Sequence, residues 1–162
     1  MKTGREMGAN GGQAAVQDAF RLAARAEQFS AGLSLKLQKK GHGRADIKSA
    51  IDYLSKAGML DDLRYACLWI TGRIKRRADS PRQLLINLCG KGLDRATAAA
   101  ALKKTLDADT ELELLRNFSA KTGRNGQTAG GNSRERLRFE GFSAEALDVL
   151  DDERRQSWQE EG

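Results

Sequence analysis

The chain has 162 residues and a net charge of +6, enough for one compact domain or a short array of small helical units. It holds one proline and few β-branched residues but much Leu, Ala, Arg, Lys, Glu and Gln, which lose little side-chain freedom in a helix, so an all-α fold is predicted. One histidine and two widely separated cysteines argue against a Ser/His/Asp set or a zinc site, and no apolar run approaches the roughly 20 residues that span a bilayer.

The run Met1-Lys2-Thr3-Gly4-Arg5 lacks the apolar stretch of a signal peptide. Glycines at 4, 8, 11 and 12 predict a flexible tail over residues 1–13. A first three-helix unit is predicted over 14–60. Its first helix spans about 14–27, with Val16, Ala19, Phe20 and Ala23 on one face. The second spans about 31–40, with Ser30 as N-cap and Leu33 and Leu37 inward. The third spans about 44–57, with Ile47, Ala50, Ile51 and Leu54 inward and Gly58 as its stop. A second unit, 61–108, opens on a helix over about 61–77 with a stripe of Leu63, Ala66, Cys67, Ile70 and Ile74. Ser80 and Pro81 begin its next helix, carrying Leu84, Leu85 and Leu88, and Ala98, Ala99, Leu102 and Leu106 line its last. A third unit, 109–158, begins with Leu112, Leu115 and Phe118, is interrupted by a Gly-rich loop at 123–131, and resumes with a short helix capped by Ser133 and a final helix holding Leu147 and Leu150.

These units repeat at about fifty residues. Leu37-Gln38-Lys39-Lys40-Gly41 and Leu88-Cys89-Gly90-Lys91-Gly92 end corresponding helices, and Leu137-Arg138-Phe139-Glu140-Gly141 is a weaker third copy. A unit of this size buries little core alone, so neighbours are expected to dock into an elongated, curved array, a shape for lying in a long groove. The charge is uneven: residues 15–60 carry +4, 61–108 carry +5 and 109–162 carry −4. The first two thirds would favour a polyanion or an acidic protein groove, and the last would repel DNA.

No catalytic constellation is visible, so no enzyme activity, cofactor or metal is expected. Gly90-Lys91-Gly92 resembles only a fragment of a phosphate loop and reads better as a helix end. His42 reads as a solvated turn residue, Asp61-Asp62 and Asp151-Asp152 as charges at a helix start or in the acidic tail, and Cys67 and Cys89 as buried, reduced thiols of a cytoplasmic protein. The basic residues stand out more. Arg73, Lys75, Arg76, Arg77 and Arg82 gather at the end of the fourth helix and the turn after it, with Trp69, Arg73 and Arg76 on one flanking face. Lys39 and Lys40 end the second helix, and Lys91 holds the matching place in the second unit. Each could be plain solvated charge, and Trp69 a packing residue; together they form a candidate contact surface for phosphate or carboxylate groups. Aromatic residues, at 6%, are too few for a base-stacking platform.

The run Leu22…Arg25…Ser30…Leu33…Leu37…Lys40-Gly41, then Ile47…Ile51…Leu54…Gly58…Leu60-Asp61-Asp62…Arg64-Tyr65-Ala66, then Arg73…Pro81…Leu88…Lys91-Gly92, resembles the RecX family of bacterial regulators of the RecA recombinase. The likeness covers about residues 15–150 and is most specific at Leu-Asp-Asp-x-Arg-Tyr-Ala. It implies tandem three-helix repeats. It also implies binding in the groove of the RecA filament on single-stranded DNA, with direct DNA contact an open possibility. Inhibition of ATP hydrolysis, strand exchange and repressor cleavage is implied with it. A monomer is expected. The chain departs from the pattern at Arg77-Ala78-Asp79-Ser80-Pro81, where the family has Gly-aromatic-Gly-Pro, and at Gly32, near a frequent Glu. A general nucleic-acid-binding helical module is the alternative reading.

Overall fold

The computed structural model describes residues 6–124 and 133–160, and among these all regular structure is α-helical. The helices are α1 (Glu6–Arg25), α2 (Ser30–Lys39), α3 (Arg44–Lys56), α4 (Asp62–Ile74), α5 (Pro81–Gly90), α6 (Arg95–Thr105), α7 (Ala108–Arg124), α8 (Arg134–Phe139) and α9 (Ala144–Glu160). They pack in threes, with α1 on α3, α4 on α6 and α7 on α9, and the middle helix of each set against them.

The middle helices end alike. Gly41, Gly92 and Gly141 have φ of +90°, +99° and +91°, the left-handed conformation that a Cβ opposes. In each case the next residue's N–H donates back to the carbonyl five residues earlier: His42 to Leu37 (3.2 Å), Leu93 to Leu88 (3.3 Å) and Phe142 to Leu137 (3.3 Å). These are three Schellman turns, so the recurring Lys-Gly and Glu-Gly pairs in the sequence are helix stops at matching places.

The turns also join the units. A Cβ on Gly92 would lie 2.8 Å from Ala31 Cβ at the start of α2, and one on Gly141 would lie 3.4 Å from Pro81 Cβ and the Arg82 nitrogen at the start of α5. The C-terminal turn of each middle helix therefore sits on the N-terminal turn of the one before. The Arg82 N–H donates to the Glu140 carbonyl (2.9 Å), and Ser80 Oγ donates to Glu140 Oε2 (2.5 Å). Among the described residues, nothing lies within 4 Å of a Cβ added at Gly41. Gly41→Ala should thus cost only the left-handed penalty, about 1–2 kcal/mol, whereas Gly92→Ala should cost more because Ala31 must also move. Chemical denaturation of the two variants checks the ranking.

The joint between units one and two is the Leu60–Ala66 stretch. Asp61 caps α4 by accepting from the Arg64 amide (2.9 Å). Asp62 reaches back to the start of α2, accepting from Ser30 N–H (2.7 Å) and Ser30 Oγ (3.0 Å). Arg64 Nε donates to Glu27 (2.8 Å), and Tyr65 stacks on Phe29 with centroids 4.5 Å apart. Gly32 leaves room for that Phe29 ring, because a Cβ there would meet it at 2.6 Å. Leu60 and Ala66 are buried.

Two apolar cores result. One joins Ala15, Ala19, Leu33, Leu37, Ile47, Ala50, Leu54 and Leu60 of unit one. The other runs through both later units, from Ala66, Ile70, Leu84 and Leu88 to Leu115, Leu137, Leu147 and Leu150. Units two and three thus share one interior, while unit one meets unit two through polar pairs, the Phe29–Tyr65 stack and the close approach of Gly92 to Ala31.

Several expectations need correction. Residues 6–13, read as tail, belong to α1. Gly11 lies close to Asp46 of α3, which a Cβ would meet at 2.9 Å, so tertiary packing outweighs the low helix propensity. Residues 1–5 lie outside the described residues. Phe20 is 49% exposed rather than inward, with Ala15 taking its place in the core. Ser30 is the first residue of α2 rather than its cap, Ala101 rather than Ala99 is buried on α6, and Leu114 joins Leu115 on α7. Gly123 and Arg124, expected to open the loop, lie in α7, and the remainder, 125–131, falls outside the described residues. Ser80 and Ser133 do cap their helices, accepting from Gln83 N–H (3.2 Å) and Arg136 N–H (3.3 Å).

Three further carboxylates tie the fold to pH. Asp18 sits below the usual carboxylate range chiefly because of its hydrogen bond from His42, with Lys40 second. Asp94 and Asp107 are lowered by the hydrogen bonds of Thr97 and Thr110 at their helix starts. A carboxylate lowered by folding contributes stability that is present above its unfolded value, near pH 4, and is lost as pH falls through the lower folded value. The melting temperature should therefore drop as pH is lowered from about 4, and Asp94→Asn should flatten that slope.

Candidate interaction surface

Trp69 is at the centre of the basic face. It is half-buried on α4, packed partly on the shared core of units two and three. The Arg73 guanidinium carbon and the Lys91 Nζ each lie 5.6 Å from its ring centroid. Arg73 follows Trp69 by one helical turn, and Lys91 is the C-cap of the adjoining α5, so two helices deliver the two cations to one ring. Arg73 Nε donates to Asp79 Oδ2 (2.5 Å), which leaves its terminal nitrogens for other acceptors.

Two shallow clefts share Trp69 and Arg73. One, of about 400 Å³, is completed by Leu68, Gly72, Arg76 and Arg77. The other, of about 480 Å³, is completed by Ile86, Asn87, Gly90 and Lys91. A third opening of about 470 Å³ lies between the end of α4 and α7, where Lys75, Arg76 and Arg77 face Asn117, Ala120 and Lys121. Among the described residues, Lys75, Arg76, Arg77, Lys91 and Lys121 have no carboxylate within 4.0 Å.

The candidates therefore divide. Trp69, Arg73, Arg76 and Arg77 line one cleft of unit two and Trp69, Arg73 and Lys91 the next, whereas Lys75 opens with Arg76 and Arg77 towards α7. Arg82 turns to unit three, its guanidinium 4.3 Å from the exposed Phe139 ring, and helps join the units. Lys39 and Lys40 belong to unit one, where Lys40 is held by Asp18 (3.0 Å). His42 is 13% exposed at its side chain and pairs with the same Asp18 through Nε2 (2.9 Å), so it is a clasp between α1 and the α2 turn rather than a solvated residue. Cys67 and Cys89 are unbridged and half-buried.

Sequence reasoning missed Lys121, Leu68 and Ile86. Lys121 was masked by the net acidity of the last third. Leu68 and Ile86 lie off the core stripes of their helices, and an aliphatic side chain in an amphipathic helix carries no sign that it faces water. Among the described residues no group of three or more His, Cys, Asp or Glu could hold a metal, and no helix is long and apolar enough to cross a membrane.

Three-helix units joined by recurring turns, with cations concentrated on one face, define an all-α helical-repeat protein. The chain belongs to the RecX family. It is 33% identical over 108 residues to proteins named Regulatory protein RecX from two strains of Treponema pallidum, one of them the Nichols strain, covering 67% of this chain and 66% of each relative. The match thus spans just under two thirds of those relatives' length. A Corynebacterium efficiens protein of the same name is 32% identical over 78 residues, 48% of this chain and 37% of that one. The fold matches a crystal structure of regulatory protein RecX with a TM-score of 0.70 at 17% identity, over 89% of this chain and 73% of that one. It matches RecX from Lactobacillus salivarius with a TM-score of 0.68 at 19% identity, over 90% of this chain and 97% of that one. No protein-family model matches the chain.

Proposed function

We propose that the protein regulates the RecA recombinase, in the inhibitory direction, by lying in the groove of the RecA filament on single-stranded DNA. Membership of a family of regulatory proteins carries this reading, and the concentration on unit two of cations without a carboxylate partner among the described residues supports it. The protein acts by binding, as a cytoplasmic monomer. A body that bridges neighbouring protomers hinders the rearrangements that accompany nucleotide turnover and DNA exchange, and a preference for one filament state is enough to do so. ATP hydrolysis, strand exchange and the coprotease activity that triggers the SOS response all fall together in this scheme, because all need the same active filament. RecA ATP hydrolysis measured with and without the protein tests it.

The opening between α4 and α7 favours a second reading, a helical module that binds nucleic acid directly, because Lys75, Arg76, Arg77 and Lys121 offer phosphates four cations free of carboxylate partners among the described residues. Affinity for naked single-stranded DNA that falls steeply with salt, together with unchanged RecA hydrolysis, would favour that alternative.

A further inference from the structure

We propose that the α4–α5 face built by Leu68, Trp69, Arg73, Ile86 and Lys91 docks an acidic segment of a protein partner. The partner's carboxylates meet the cations and an apolar side chain of the same segment packs beside the tryptophan. The proposal deepens the regulatory reading and rests on it for the protein nature of the partner.

The chemistry of the face is mixed. Leu68 is 57% exposed and Ile86 49%, one on the rim of each cleft that shares Trp69 and Arg73. Two aliphatic side chains from different helices thus flank one indole in water. A sugar–phosphate backbone offers little apolar surface to cover them. Nor does the ring suit base stacking, because Arg73 and Lys91 both already lie against it. A segment that alternates carboxylates with an aliphatic residue meets both demands. The cations supply charge-assisted hydrogen bonds, and Leu68, Ile86 and Trp69 supply area to be removed from water. Asp79 already shows the pairing: a carboxylate from the turn before α5 occupies Arg73 Nε and leaves the rest of the fork open. Lys91 extends the same charge to the other cleft.

Trp69 is its own reporter once Trp158, the only other tryptophan, is replaced by phenylalanine. The probes are the synthetic peptide Glu-Glu-Leu-Glu-Glu-Leu-Glu-Glu, the same peptide with Ser for each Leu, and a short oligothymidylate, each titrated at low salt. The leucine peptide should shift Trp69 emission and bind at least about tenfold more tightly than the serine peptide. Leu68→Ser, Ile86→Ser and Lys91→Glu should each weaken it about tenfold, while Lys91→Arg, which keeps the cation, retains it. Circular dichroism of each variant separates lost binding from lost fold. Equal binding of the two peptides, or tighter binding of the oligothymidylate, would overturn the proposal in favour of a phosphate surface. Silence of Trp69 with every probe would overturn it outright. No RecA is present, so failure here leaves filament inhibition standing. Peptide binding by a protein that leaves RecA hydrolysis unchanged would instead remove the regulatory reading alone.

Discussion

Leu37→Ala and Leu88→Ala should each destabilise the protein by about 2–5 kcal/mol, the range for truncating a buried leucine, but in different parts of the molecule. Both side chains are fully buried, and the backbone carbonyl of each residue accepts the closing hydrogen bond of a Schellman turn. Leu37 belongs to the core confined to unit one, Leu88 to the core that runs through units two and three. Loss of Leu37 should therefore loosen amides of α1–α3 and leave α4–α9 protected. Loss of Leu88 should loosen α4–α9 together, because no boundary divides that interior. Hydrogen exchange resolved by helix reads the difference directly. Protection lost uniformly in both variants would mean that the Asp62–Ser30, Arg64–Glu27 and Phe29–Tyr65 contacts couple unit one more tightly than their polar character suggests.

The second large effect concerns the basic face. Arg73→Glu with Arg76→Glu should weaken the protein's action on RecA filaments by tenfold or more, about 1.4 kcal/mol for each factor of ten, with a stability cost confined to the broken Arg73–Asp79 pair. Arg76 is exposed and has no carboxylate within 4.0 Å among the described residues, so its reversal should not disturb the fold. Arg73 is engaged with Asp79, and Asp79→Lys beside Arg73→Glu would restore that pair while keeping the altered face. Inhibition of filament ATP hydrolysis, titrated with each variant, gives the measure. Full inhibition by the doubly reversed protein would remove this face from the account.

The fold was legible where a residue type does one job. The Gly41–Gly92–Gly141 spacing was readable because a left-handed helix stop strongly favours glycine, and Ser80-Pro81 because a hydroxyl cap and a first-turn proline are a recognisable pair. The extension of α1 through Gly11 and Gly12 was not readable, since it depends on packing against α3. Ser30 was misplaced for the same reason: Asp62, 32 residues away, takes its hydroxyl and amide together. His42 stands where Leu93 and Phe142 stand in the other units, so its burial follows from the repeat, but its partner Asp18 lies on a different helix and only the folded chain brings them together. On the candidate surface, the i to i+4 spacing of Trp69 and Arg73 was a local signal. Lys91 joined them from α5, as its equivalence to Lys40 did not foretell, because Lys40 is held by Asp18 while Lys91 lies over the indole.

RecA ATP hydrolysis on single-stranded DNA, titrated with this protein from well below one copy per RecA up to equimolar, tests the regulatory account most directly. The account expects a clear fall, already evident at sub-stoichiometric ratios, because one body across several protomers restrains them all. Unchanged hydrolysis, with no protein cosedimenting with the filament in the same sample, would contradict it.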